Sequence, residues 1–167
     1  MAKDGAGDMV TFRYEPLTYL IRNGLPELSL ECWEKVGDEF HTDVFGPDWE
    51  TYQAMEDDKS LGFIAMRDEE KLVGYAVIKI RADIHQKGMR VALIHDIYIR
   101  EEDRGHAMKF MRYIESLAVM MGAYRIDGAE KLSFGKERGG AGKFYEFVGF
   151  RPMEVIWSKV LSCDGSA

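Results

Sequence analysis

The spacing of apolar and polar positions changes several times along the chain, and each change marks an element. Val91 to Ile99 is mostly apolar and rich in β-branched residues, as a buried strand is. The apolar run stops at Glu101, Glu102 and Asp103, and Arg104-Gly105 breaks the pattern. From Ala107 the period becomes helical: Ala107, Phe110, Met111, Ile114, Leu117, Ala118 and Met121 fall three and four residues apart. Gly122 closes that helix. The methionines on it, Met108, Met111, Met120 and Met121, are expected to pack into the core.

The same reading covers the rest of the chain. Val10 to Tyr14 alternates and predicts a first strand. Gly24-Leu25-Pro26 opens a helix whose apolar face is Leu28, Leu30, Cys32, Trp33 and Val36, and Gly37 ends it. A loop leads to a second short helix over Trp49 to Met55. Leu61 to Arg67 and Leu72 to Ile80 are two strands joined by a hairpin turn, and a turn over Ala82 to Gly88 leads into Val91–Ile99. After the long helix come a strand at Ala123 to Ala129, a glycine-rich loop over Glu130 to Gly142 and a short helix at Lys143 to Val148. One or two closing strands fall within Arg151 to Leu161. The strand, helix, strand order predicts a right-handed crossover and a parallel pair. Residues 1–8 read as a disordered leader, 9–162 as a single domain and 163–167 as a tail. Pattern alone gives an α/β or α+β chain built on a mixed sheet.

Composition narrows the function classes. The chain has 167 residues, 46% hydrophobic and 31% charged, enough for one domain with a real core. A net charge of −7 argues against nucleic-acid binding. No apolar run reaches the length of a membrane span. Cys32 and Cys163 are far apart and form no metal-type cluster, so no metal is expected, and a reducing cytoplasm is the simplest setting. The sharpest asymmetry lies in residues 24–60, with eleven carboxylates against Lys35 and Lys59. Most of these are expected on solvated helix faces; an acidic lip that attracts a cationic amine is the functional alternative.

The strand–turn–helix also has a chemical use. The first N–H groups of a helix lack intrahelical partners and carry partial positive charge, so a phosphate can dock there. Arg100, Arg104, His106, Lys109 and Arg112 gather around this turn in an otherwise acidic chain. The alternative is a helix whose start is satisfied by Glu101 to Asp103.

The segment IHDIYIREEDRGHAMKFM resembles motif A of the GCN5-related N-acetyltransferases, the GNAT family. That motif is Gln/Arg-x-x-Gly-x-Gly/Ala, between the fourth strand and the third helix. Arg104 matches its first position, Gly105 matches an Arg-Gly pair common in the family, and Ala107 and Lys109 depart from the usual small residues. FYEFVGF, Phe144 to Phe150, resembles motif B, with Ala141 four residues before the tyrosine. The likeness covers roughly residues 60 to 162. It implies a central, mostly antiparallel sheet flanked by helices, whose fourth and fifth strands are a parallel pair that splays after a bulge. Pantetheine enters that gap, and acetyl-CoA is the co-substrate.

The resemblance assigns residues. The backbone of Arg104, Gly105, His106, Ala107, Met108 and Lys109 would hold the pyrophosphate, and Ile97, Tyr98 and Ile99 the pantetheine and acyl carbonyl. Arg138 stands near a family asparagine that touches the cofactor. Only the free amine attacks a thioester, so a base is needed. Either Asp96, which sits at the family's commonly acidic position, or His95, whose ordinary pKa is near neutrality, fills that role. Strand alternation puts the two on opposite faces. Tyr145 matches the family tyrosine near the sulfur, as proton donor to the thiolate. His41, Asp43, Phe45, Trp49 and Tyr52 are candidates to line the acceptor site. The implied function is an acetyl-CoA-dependent N-acetyltransferase acting on a primary amine, expected to be a cationic small molecule or a basic peptide. The alternatives are a catalytically weak or inactive module of the same fold that binds a CoA-like ligand or a protein partner, and transfer of another acyl group. A homodimer is left open.

Overall fold

The computed structural model describes residues 10–36, 45–129 and 140–153. In chain order these form β1 (Val10–Tyr14), α1 (Leu17–Arg22), α2 (Leu25–Val36), α3 (Trp49–Asp57), β2 (Leu61–Asp68), β3 (Lys71–Ala82) and β4 (Arg90–Ile99). A 3₁₀ helix over Glu101–His106 then leads without a break into α4 (Ala107–Met120), followed by β5 (Arg125–Gly128) and α5 (Gly140–Phe147). The proposed leader and tail, the loop at 130–139 and most of the closing-strand segment lie outside the described residues.

The strands lie side by side in chain order, β1-β2-β3-β4-β5. The first four pair antiparallel, and β4 with β5 is parallel. This is the mixed sheet expected from the pattern, because an antiparallel meander needs only hairpins while the parallel step needs α4 as its crossover. β2 and β3 are buried on both faces, which explains why they read as near-continuous apolar runs. One face carries α4 and α5: Phe110, Met111, Ile114, Ala118 and Tyr145 pack on Ile64, Ala76, Ile78, Ala92 and Ile94. The other carries α1 and α2: Leu17, Leu20, Leu25 and Leu28 pack on Phe63, Tyr75, Val77 and Tyr98. Two side chains depart from the expected faces. Leu30 is 38% exposed and Met120 is 82% exposed, because each lies a residue or two off the stripe its helix buries.

Helix α1 has no counterpart in the sequence reading. It is six residues long, too short for a clear period, and Leu17 and Leu20 are the residues it buries. Its first N–H is satisfied from a distance: Leu17 N–H donates to both carboxylate oxygens of Glu56 on α3, at 3.1 and 3.0 Å. Beside it, Glu15 and Arg67 form a bidentate pair at 2.8 and 2.7 Å, with Arg67 only 1% exposed. Arg67 also donates to the carbonyl of Glu70 at 2.7 Å and lies over the Tyr19 ring, so its buried charge is well partnered.

Candidate active site

The site is built where β4 changes its partners. On the β5 side, pairing runs from Val91↔Arg125 to Ile94↔Gly128, and among the described residues it goes no further. On the β3 side, Ile78 pairs with Ile94 but Val77 pairs with Asp96, so His95 is an extra residue in the ladder. This is a β-bulge, and it falls directly after Ile94, the last residue of β4 that pairs with β5 among the described residues. Beyond it, Ile97, Tyr98 and Ile99 still pair with Ala76, Tyr75 and Gly74. In such a ladder alternate residues turn their N–H and C=O to the other edge. That edge is where an extended ligand could hydrogen-bond.

The bulge corrects one expectation. Simple alternation puts His95 and Asp96 on opposite faces, but the inserted residue breaks the alternation. Asp96 Oδ2 accepts from the Tyr75 hydroxyl at 2.7 Å, and Tyr75 belongs to the core beneath α1 and α2. The His95 ring lies 6.4 Å from that of Tyr52 on α3, which packs on the same core. Both candidates for the base therefore face the α2–α3 side, His95 exposed and Asp96 half-buried.

Two phenols surround Asp96. Burial raises the Tyr75 pKa far above its ordinary value, and the Asp96 charge and the Cys32 thiol add to the rise. Tyr52 is raised by burial and then by Asp96. Both hydroxyls are therefore held in the protonated, donating form. Trp49 and Phe63 flank Tyr52 at 5.9 Å each, so the α3 side of the site is aromatic. Phe45 lies 6.2 Å from Trp33 of α2. His41 and Asp43 fall outside the described residues, as does Arg138.

Tyr145 stands on the other face. It is 7% exposed and packs against Phe150, with ring centroids 5.0 Å apart. Its ring rests on the last residue of β5: a Cβ added at Gly128 would lie 2.8 Å from Cζ and 3.1 Å from the hydroxyl oxygen. The glycine thus lets the phenol approach the backbone at the residue where β4 and β5 stop pairing. The structure does not put Tyr145 on the side of Asp96; the two flank that point from opposite faces of the sheet.

The turn before α4 differs from a simple helix start. Residues 101–106 are already wound as a 3₁₀ helix, with Asp103 N–H donating to Arg100 and Ala107 N–H donating to Arg104. Glu101, Glu102 and Asp103 occupy its first turn. Arg104, Gly105 and Lys109 are exposed, and nothing lies within 4 Å of a Cβ placed on Gly105. Arg100 is not part of the exposed basic group, because its guanidinium donates to Glu31 of α2 at 3.0 Å. Glu31 also accepts from the Tyr98 hydroxyl at 2.8 Å and pairs with Lys35 at 2.9 Å. Its carboxyl is held at about 2, by Lys35 first and by Tyr98 and Arg100 against the cost of burial. This carboxylate braces α2 against the end of β4. Arg112 and Met108 line a cleft of about 320 Å³ between α4 and the end of α5, with Phe147 and Gly149 opposite.

The acidic segment is partly accounted for by structure. Besides Glu31 and Glu56, Asp48 caps α3 by accepting from Thr51 N–H at 2.9 Å, and Asp58 accepts from Ser60 N–H at 2.8 Å. Glu27, Glu34, Glu50 and Asp57 are exposed. Tyr75 and Glu31 are the residues that sequence reasoning missed. The signal for Tyr75 was a lone phenol in an otherwise apolar buried strand, which needs a partner for its hydroxyl. Among the described residues, no group of three metal-ligating side chains assembles and no helix is long and apolar enough to cross a membrane.

Comparison with known proteins agrees with this geometry. The family model described as Acetyltransferase (GNAT) family matches residues 23–150. No curated protein sequence matches the chain significantly. Among solved structures, the chain is similar to an aminoglycoside acetyltransferase from an uncultured soil metagenomic sample, in complex with trehalose. The TM-score is 0.73 at 14% identity, over 95% of this chain and 100% of that one. It is similar to a glucosamine-6-phosphate N-acetyltransferase from Arabidopsis thaliana, with a TM-score of 0.68 at 14% identity, over 92% and 99% of the two chains. A predicted acetyltransferase with acetyl-CoA from Clostridium acetobutylicum gives a TM-score of 0.70 at 14% identity, over 92% and 96%. At these identities the likeness is one of fold.

Proposed function

The chain belongs to the acetyltransferase (GNAT) family, and on that premise we propose that it moves an acetyl group from acetyl-CoA directly to a primary amine. The observation that carries this reading is the coincidence at Ile94: the parallel pairing ends, the bulge inserts His95, and Tyr145 seats on Gly128. The β5-side edge of Ile97 to Ile99, which pairs with no strand among the described residues, suits an extended amide chain such as pantetheine. The exposed Arg104, Gly105 and Lys109 suit a pyrophosphate, with His106, Ala107 and Met108 contributing backbone.

The chemistry then divides between the two faces. Asp96, directly or through water, takes one proton from the ammonium, with His95 as the alternative base beside it. The freed nitrogen lone pair forms the C–N bond and the carbonyl π pair moves to oxygen. Collapse restores the carbonyl and breaks the C–S bond. The Tyr145 hydroxyl gives its proton to the sulfur, and the second nitrogen proton restores the phenol. The proton on Asp96 leaves to solvent, so one proton is released per turnover. No enzyme nucleophile is used, and neither cysteine is required. The aromatic α3 wall and the exposed carboxylates Glu50 and Asp57 favour an acceptor with more than one positive charge.

The test is calorimetric titration with acetyl-CoA, followed by an amine panel read as free-thiol release. Micromolar binding with thiol release that depends on a cationic amine is the expected result. Binding without release for any amine would sink the transferase reading. It would leave the second reading, a ligand-binding member with weak catalysis. One observation favours that second reading: Ala107 N–H, in the turn that would meet the pyrophosphate, is already spent on the Arg104 carbonyl.

A further inference from the structure

We infer that Tyr75 is a positioning residue for proton removal from the acceptor amine, aiming the Asp96 carboxylate through its hydroxyl. The inference rests on the reading of Asp96 as the base. The register makes the contact a built feature. Val77 pairs with Asp96 and Tyr75 with Tyr98, so these four side chains share one face, and Tyr75 reaches Asp96 diagonally across the ladder. Tyr75 is 2% exposed and its ring is fixed in the core among Tyr98, Val77 and Cys32. The hydroxyl donates to Oδ2 at 2.7 Å. With one carboxylate oxygen tied down from beneath, Oδ1 is the atom that can take a proton, directly or through one water.

The bulge makes this brace necessary. An extra residue loosens the ladder where it is inserted, so the strand alone does not fix the direction of Asp96. A phenol rooted in a rigid strand does. Tyr75 from β3 bonds Asp96 and Tyr52 from α3 lies within reach of its charge; around these two phenols stand Cys32 from α2 and Tyr98 beside Tyr75, and His95 beside Tyr52. Glu31 lies beyond Tyr98 with Arg100 and Lys35, which neutralise it. Of these, Tyr75 makes the direct hydroxyl contact, at 2.7 Å.

The experiment compares kcat and KM for one amine in wild type, Tyr75→Phe and Asp96→Asn. Tyr75→Phe keeps the ring and removes only the donor. Its kcat should fall about tenfold or more, with the amine KM and acetyl-CoA affinity unchanged. Should the buried ring not tolerate the loss of its hydroxyl, 3-fluorotyrosine placed at position 75 alone keeps both the shape and the donor. Its kcat should then stay near that of wild type. Asp96→Asn should abolish most of the activity. If Asp96→Asn collapses activity while Tyr75→Phe keeps the wild-type kcat, the positioning role is overturned and the base stands. If Asp96→Asn retains wild-type activity, the base reading fails and takes the positioning role with it.

Discussion

Gly128→Ala is the sharpest test of how the two faces of the site are joined. The new methyl carbon would sit 2.8 Å from Cζ, 2.9 Å from Cε1 and 3.1 Å from the hydroxyl oxygen of Tyr145. Ordinary contact between such atoms is about 3.5–4.0 Å, so the ring must retreat by the better part of an ångström. It has little room, because Tyr145 is 7% exposed and its ring is in contact with Phe150 and Phe144. Overpacking of this kind costs about 1–3 kcal/mol. Urea unfolding should report that loss, and for a chain of this length it corresponds to a fall in Tm of very roughly 2–12 °C. If Tyr145 is the proposed proton donor, turnover should fall more than stability predicts, since a donor displaced by that distance loses its reach. The decisive arm is a double-mutant cycle with Tyr145→Ala. Without the ring there is nothing to strike, so Gly128→Ala should become nearly neutral, with a coupling energy of about 1–3 kcal/mol. An equal cost of Gly128→Ala with and without the ring would refute the seating of Tyr145 on β5.

Three further outcomes are expected. Arg67→Met, which strands the buried Glu15 carboxylate, should cost about 3–5 kcal/mol in urea unfolding, and adding Glu15→Leu should recover much of it. Arg104→Glu should weaken acetyl-CoA binding at least tenfold, about 1.4 kcal/mol by calorimetry, while leaving stability unchanged because Arg104 is exposed. Glu31 is held at about 2 against an ordinary 4.5, so its stabilisation is fully present above 4.5 and is lost as the pH falls through about 2. The stability difference between wild type and Glu31→Gln should therefore shrink steadily between pH 5 and pH 2, and a pH-independent difference would count against the brace.

The strands and the long helix were legible because each has one strong period. β2, β3 and β4 are apolar runs bounded by turns, and α4 shows an unbroken helical stripe ending at Gly122, whose φ of 81° suits glycine. What was not legible depends on tertiary partners. The start of α1 is satisfied by Glu56, a residue 39 positions away, and no local pattern announces it. Arg100 reads as one of five basic residues at a turn, yet it is taken by Glu31, 69 positions away in sequence. The bulge at His95 is also silent in the sequence, since IHDIYI reads equally well as a regular strand. The family resemblance implies a bulge, and across it the alternation expected of His95 and Asp96 does not hold.

That failure matters for the chemistry. In a regular strand His95 and Asp96 would be divided between the faces, and one of them would share a side with Tyr145. The inserted residue instead gathers both candidate bases on the α2–α3 side and leaves Tyr145 on the α4–α5 side, above Gly128. In the proposed reaction the amine loses its proton before attack and the sulfur gains one after it, so the two transfers are served from opposite faces of the sheet. One residue added to one ladder, next to the last residue of β4 that pairs with β5 among the described residues, brings both candidate bases to one side.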